Sequence, residues 1–279
     1  MNNTNPTSPN PYYDENNNRL IRESLCVYLD ILGFSNTITE AYAKGREDKL
    51  LNKITDAIEE DIKIFQPSFP DIIKKESLYI KIFTDNIVIG YPMRTWHGES
   101  EFGDLITLIS FYQTSMALRG LFVRGAIVIG SLFMDDKIVF GDAIIEAHEL
   151  ESKYSNVPRI ILSEKVFKLV KSHLKFYSEP KDSPQYEDIL IDNDGYAFLN
   201  YLTNLDPEYI YWKEVRKHKK YVEFFLKKHL SSPRIWNKYF WIANYHNHFV
   251  KGYRRDSEYD EKYLINSALL ISEPSKIVD

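Results

Sequence analysis

The sequence predicts an α+β protein, one sheet covered by helices mainly on one face. Three observations carry that prediction. Short β-rich runs recur through roughly the first 170 residues. Two of them, "SLYIKIF" and "NIVIGYP", are separated only by Thr84 and Asp85, which is the spacing of a two-residue hairpin. Between the runs lie stretches with apolar residues at helical intervals, as at Leu50, Leu51, Ile54, Ile58 and Ile62.

The elements follow in order. The polar opening "MNNTNPTSPNPYYDENNN" is expected to form a disordered tail over residues 1–20. The run "CVYLDILGF" reads as a strand that ends on Asp30 and turns at Gly33 into a helix, "SNTITEAYAKG", with a second helix, "EDKLLNKITDAIEEDIKIF", in series. The hairpin comes next, with Asp85 at its tip. "FGDLITLISFYQTSMALR" is a helix, "LFVRGAIVIG" a strand, "KIVFG" a short strand, and "DAIIEAHELESKY" a helix. "PRIILS" is a further strand, and "SEKVFKLVKSHL" a helix capped by Ser163. Near Phe176 the composition changes: a polar loop, "SEPKDSPQYED", precedes paired strands in "ILIDNDGYAFLNYL" around Asp194 and Gly195, then aromatic and Lys-rich helices from about Pro207. The expected division is a sheet domain over 21–175 and a mostly helical C-terminal appendage over 176–279.

Composition excludes several classes of function. At 279 residues and 44% hydrophobic, the chain can bury a substantial core. Its net charge of −5 argues against a nucleic-acid partner, because phosphate neutralisation needs surplus Lys and Arg. The locally basic "KEVRKHKKYVEFFLKKHL" reads as a solvated helix face. The single cysteine, Cys26, lies in an apolar strand, so a reducing, cytoplasmic setting is expected. No apolar run approaches the roughly 18–20 residues of a membrane span, and no membrane partner is expected.

Two carboxylates carry the candidate chemistry. Asp30 closes the first strand and Asp85 tips the hairpin that commonly lies beside it. Alone, each has an ordinary use, Asp30 as a helix cap and Asp85 as a turn former. Together, such hard oxygen ligands suit Mg²⁺ or Mn²⁺ bound to phosphates. Gly33 permits close backbone approach, and the N–H groups of the following helix favour an anion. Ser35 can cap that helix or donate to a phosphate. On an unbulged strand, Lys81, Phe83 and Asp85 share one side, and Lys81 stands roughly 13 Å from Asp85, about the span of a nucleotide.

The stretches "YLDILGFS", "KIFTDNIVIGYP", "FVRGAIVIGSLF", "VFGDAIIEAHELE" and "PRIILSEKV", in that order, resemble the core of the class III adenylate/guanylate cyclase family over roughly residues 24–170. With the tail "KYFWIANYHN", the variant "LDILGF" and "RGAI" is similar to bacterial Pycsar-type pyrimidine nucleotide cyclases. The resemblance implies a ferredoxin-like palm and a homodimer with sites at its interface. It implies two Mg²⁺ or Mn²⁺ ions held by Asp30, Asp85 and the Ile31 carbonyl, with Leu32, Gly33, Phe34 and Ser35 cradling the triphosphate. The implied reaction converts a nucleoside triphosphate into a 3′,5′-cyclic monophosphate, a messenger read by a downstream effector in anti-phage defence.

The chain departs from the family on one helix. Where an Asn and an Arg ordinarily orient ribose and stabilise the reacting phosphorus, it has Ile145 and Glu149. Arg124 and Arg159 are the candidate replacements, each also readable as a structural salt bridge, and Glu146, Glu149 and Glu151 are possible partners for them across a dimer. His148 reads as a surface or interface residue. In adenylate cyclases a lysine at position 81 donates to the base, and an acid stands where this chain has Ile138. An unpaired exocyclic amine is costly, so UTP is the expected substrate unless Asp135 or Asp136 swings in as acceptor. Ile145 and Glu149 also motivate a rival, a catalytically degenerate protein that binds a nucleotide as a regulatory module. A palm joining two nucleotides is a weaker third. His246 and His248 are badly spaced for one metal, "DNDG" at 192–195 is a poor calcium loop, and Trp236, Tyr239, Phe240 and Trp241 read as core or interface.

Overall fold

The computed structural model describes residues 10–56, 78–94, 98–206, 209–266 and 275–276. Its elements are strand β1 (Arg22–Ile31), helix α1 (Phe34–Ala43), and helix α2 (47–56 as far as described). Next come β2 (Tyr79–Phe83), β3 (Asn86–Pro92), α3 (Glu99–Ala117), β4 (Val123–Met134), β5 (Val139–Phe140) and α4 (Asp142–Tyr154). The chain continues through β6 (Ile160–Leu162), α5 (Glu164–His173), α6 (Gln185–Asp188), β7 (Ile189–Ile191) and β8 (Ala197–Leu199), and then α7 (Trp212–Lys228), α8 (Pro233–Gly252) and β9 (Ser275–Lys276). Ile58 and Ile62 of the expected second helix lie outside the described residues.

The strands form one mixed sheet in the order β2-β3-β1-β4-β6-β8-β7-β9, with β5 paired to β4 as a hairpin. All neighbours are antiparallel except β4 and β6. β7 and β8 continue the sheet past Phe176, so the change in composition there has no counterpart in strand pairing.

Helices cover both faces, not mainly one. On β1, Leu25, Val27, Leu29 and Ile31 point to a core built with Phe102, Leu105, Ile109 and Met116 of α3 and Val166 and Val170 of α5. Cys26 points the other way, with Val88 and Val128, against Ala143 and Ala147 of α4. Farther along that second face, α7 and α8 pack through Val215, Val222, Tyr239 and Ile242 onto Ala126, Ile161 and Phe198. Both sides of the central strands are apolar, and each apolar side needs a cover. Ser163 caps α5, its hydroxyl accepting from Val166 N at 3.3 Å as its spacing predicted.

Residues 10–20 pack against the sheet, contrary to the expected tail, whose residues 1–9 lie outside the described residues. Tyr12 is fully buried, and its hydroxyl donates to Ser24 Oγ at 3.0 Å. Asn10 Nδ2 donates to the Met134 carbonyl at 2.8 Å. Gly90 of β3 makes room for that ring: a Cβ there would run into Tyr12 Oη and stand 2.6 Å from Met134 Sδ. A polar-looking stretch thus carries one aromatic residue that the sheet buries.

Candidate functional site

Strand alternation fixes the direction of Asp30. It shares the α4-facing side of β1 with Cys26 and Tyr28, and its register neighbours are Asn86 of β3 and Arg124 of β4. Asp85 lies in the turn between β2 and β3, where Thr84 has a φ of +57°. That region is strained for a β-branched residue. The Thr84 hydroxyl donates to Asp85 Oδ1 at 2.9 Å, and Asn86 Nδ2 donates to the same oxygen at 3.2 Å. Asn86 is held in turn by the Tyr28 hydroxyl, which donates to its Oδ1 at 2.6 Å. The Ile31 N–H donates to the Asp85 carbonyl at 3.2 Å, tying the hairpin tip to the end of β1.

Asp30 and Asp85 therefore meet, their carboxylates within hydrogen-bonding reach. Burial, then the charge of Asp85, raises the pKa of Asp30 against the pull of Arg124. Burial and the carboxylates of Glu151, Asp30 and Asp85 push the Tyr28 hydroxyl up to about 12, so it stays a donor.

Arg124 stands between two acids of its own chain. Its Nε lies 2.7 Å from Asp30 Oδ2 and 2.8 Å from Glu151 Oε1. The single Nε–H donates to Asp30, and Glu151 Oε1 is left buried with no hydrogen bond. Ala143, Ala147 and Glu151 lie four residues apart on one face of α4, the face that meets the sheet, so the third position of an otherwise apolar stripe is a carboxylate. Burial pushes Glu151 up to about 7, helped by the charge of Asp30 and resisted by Arg124 and Lys238. The expectation that Glu151 pairs across a dimer is corrected here, since its partner is Arg124 in the same chain. Sequence reasoning missed both Asn86 and this role of Glu151. The interruption of the alanine stripe was the available signal for the latter.

The segment Leu32–Ser35 is only partly open. The Leu32 N–H is taken by the Phe122 carbonyl at 2.8 Å, so it cannot also serve a phosphate. Gly33, not Ser35, is the N-cap of α1, with a φ of +71° and no side-chain cap. The first-turn N–H groups of Phe34, Ser35 and Asn36 have no acceptor one turn back within the helix.

Lys81 does not lie on one straight face with Asp85, because β2 ends at Phe83 and Thr84 turns the chain back. Its Nζ donates to the carbonyls of Asp135 and Asp136, at 3.2 Å each. Asp135 cannot swing toward a base as arranged. Its Oδ1 accepts from the N–H groups of Lys137 and Ile138 at 2.8 Å each, and its Oδ2 accepts from the Tyr13 hydroxyl at 2.9 Å. Asp136 is bonded by the Tyr79 hydroxyl.

The remaining candidates fall away from this centre. Arg159 is buried and paired with Asp192 and Asp194, which makes it the clamp of the β7–β8 turn. Trp241 Nε1 donates to the same Asp192 at 2.7 Å. Ile145 is 63% exposed and Glu149 is ion-paired to Lys153 at 3.3 Å on the outside of α4. His148 packs edge-on against Tyr28 at 5.3 Å. His246 is buried, its Nδ1 3.0 Å from His218 Nδ1 and its Nε2 3.0 Å from the Tyr263 carbonyl, while His218 Nε2 is 2.9 Å from the Tyr201 hydroxyl.

No group of three or more His, Cys, Asp or Glu among the described residues has the arrangement of a metal cluster. The oxygens near Asp30 nevertheless fit a hard divalent ion. Among the described residues, Asp30 Oδ1 and Asp85 Oδ2 receive no donor, and the bond from Asp85 N to the Ile31 carbonyl that would complete the pair is not formed. Mg²⁺ characteristically takes one or two carboxylates and completes its shell with water and substrate phosphate.

No protein-family model matches the chain. No curated protein matches it either. Among solved structures, a class III adenylyl cyclase-like ATP-binding protein from Pseudomonas aeruginosa aligns with 58% of this chain and 38% of its own, at 14% identity and a TM-score of 0.43. A likeness at that level defines neither fold nor function, and the chain spans little more than a third of that protein. No described helix is long and apolar enough to cross a membrane.

Proposed function

We propose that this chain binds a nucleoside triphosphate with Mg²⁺ or Mn²⁺ at Asp30 and Asp85 and converts it to the 3′,5′-cyclic monophosphate and pyrophosphate. The observation that carries this is the meeting of two carboxylates from separate elements, beside the Ile31 carbonyl and the open first turn of α1. Asp30, Asp85 and the Ile31 carbonyl would hold the metal, which when bound neutralises phosphate charge. The N–H groups of Phe34 and Ser35 bind phosphate oxygens. Tyr28 and Asn86 hold Asp85 in place. In the reaction the ribose 3′-oxygen forms a bond to the α-phosphorus, the bridging bond from the α-phosphorus to oxygen breaks, pyrophosphate leaves, and the hydroxyl proton goes to water.

The preferred base is uracil. Lys81 keeps a donor for a carbonyl oxygen, while Ile138 cannot accept from an amine and both neighbouring aspartates are engaged. An unpaired amine disfavours cytosine and adenine by about 1–3 kcal/mol. On the resemblance alone, the product acts as a messenger in anti-phage defence. The chain works as a homodimer, for which the exposed side chains of Ile138, Phe140 and Ile145 offer apolar surface.

A second reading is favoured by one observation: Arg124 already neutralises Asp30 through one of its two carboxylate oxygens, which weakens its pull on a metal. On that reading the protein binds a nucleotide and does not turn it over. Incubating it with equimolar ATP, GTP, CTP and UTP and Mn²⁺, with products identified by mass spectrometry, separates the possibilities. Predominant cyclic UMP, abolished in Asp30→Ala and Asp85→Ala, supports the proposal. Predominant cyclic CMP or cyclic AMP overturns the argument on the base, and nucleotide binding with no cyclic product favours the regulatory reading.

A further inference from the structure

The position that would carry an arginine on α4 holds Glu149 and faces solvent, yet the site has cations from another direction. Helix α8 packs directly on the segments that form it. Tyr239 stacks on Phe225 of α7 at 4.7 Å and stands edge-on to Phe122 at 5.8 Å. Phe122 is two residues before Arg124, and its carbonyl holds the Leu32 N–H. At the end of α7, Lys228 Nζ donates to Glu40 of α1 at 2.8 Å, fixing the helix pair to the helix that starts at the site.

Next to Tyr239 is Lys238, half-buried. Its ammonium lies within electrostatic reach of Arg124, Asp30 and Glu151, and of Arg234 on its own helix. Arg234 and Lys238 are four residues apart and share a face of α8. Neither closes a hydrogen bond or a salt bridge among the described residues. Burial chiefly, with Arg124 and Arg234 adding to it, lowers the pKa of Lys238 against the pull of Asp30 and Glu151.

We propose that Arg234 and Lys238 form a polyphosphate-binding wall of the site, supplied by α8 within the same chain. The inference rests on the reading of the Asp30–Asp85 end as a site for a metal-bound nucleoside triphosphate. Charge supports it. Arg124, Arg234 and Lys238 offset Asp30, Asp85 and Glu151, so a divalent cation added at the two aspartates leaves a positive excess that a polyanion neutralises. The C-terminal helices are then part of the substrate site, placed there by the contact between Tyr239 and Phe122.

The test uses the full chain and two probes, Mn²⁺ alone, followed by electron paramagnetic resonance, and inorganic tripolyphosphate with Mn²⁺, followed by calorimetry. Lys238→Gln combined with Arg234→Gln should weaken tripolyphosphate binding at least tenfold and leave Mn²⁺ binding at Asp30 and Asp85 within threefold. Lys238→Arg alone keeps the charge and should bind tripolyphosphate within threefold of wild type, which separates lost charge from lost folding. Tripolyphosphate bound as tightly by the double variant as by wild type, or not bound by wild type, overturns the wall. Cyclic product from wild type with no effect of the double variant on affinity sinks this inference and leaves the function standing. Binding that depends on Lys238 in a protein that makes no cyclic product does the reverse.

Discussion

Arg124 donates its Nε–H to Asp30 at 2.7 Å while standing 2.8 Å from Glu151, so one guanidinium serves two acids on different elements. Removing it leaves two desolvated carboxylates facing each other. Arg124→Met should lower stability by about 2–4 kcal/mol, measured by urea unfolding at neutral pH. A change under about 0.5 kcal/mol would mean that the pair is screened by water.

Glu151 gives the protein a stability slope of definite sign. Its carboxyl titrates at about 7 when folded, against an ordinary value of 4.5. Between those values the folded state holds the proton and the unfolded state does not, so this contribution is present below pH 4.5 and lost as pH rises through 7. In Glu151→Gln the loss should vanish. Melting temperatures of the two proteins across pH 4.5–7.5 check it, and identical profiles would count against the raised pKa.

The buried His218–His246 pair pushes in the opposite direction. His246 is held down to about 4 by burial and His218 is lowered by burial and by its neighbour, so both stay neutral where an unfolded histidine protonates. Stability present above pH 6.5 should fall as pH drops toward 4, by roughly 1.4 kcal/mol per unit for each histidine. In His218→Gln/His246→Gln the acid limb should flatten, even if the protein is less stable at neutral pH. An unchanged limb would place acid sensitivity elsewhere.

Gly90 tests the packing of the N-terminal segment. Alanine there must displace Tyr12, Met134 and Leu132, a loss of about 1–3 kcal/mol. Pairing it with Tyr12→Ala should recover part of the loss relative to the sum of the single effects. Strict additivity would mean that the segment does not rest on Gly90.

Phe140 tests assembly. It is 56% exposed, as Ile138 and Ile145 are also exposed, and Phe140→Glu should turn a dimer into a monomer of 32.9 kDa by light scattering. A wild-type protein that is already a monomer, or a variant that stays dimeric, removes this surface as the interface.

Local rules made much of this protein legible from its sequence. Period-two alternation located the strands, the Thr84–Asp85 spacing gave the hairpin, Ser163 gave a cap, and Asp30 at a strand end beside Gly33 marked the candidate site. Each depends on residues within a few positions of one another, where backbone geometry acts directly. Tertiary structure alone decided the rest. Asp30 and Arg124 are separated by 94 residues and are joined by strand register, while Glu151 reaches them because α4 lies on that face of the sheet. Lys238 arrives through the packing of Tyr239 on Phe122, and Tyr12 through a glycine in a distant strand. Burial and charge at a site sum over everything folded against it, and which distant segments those are is set by packing rather than by any local pattern.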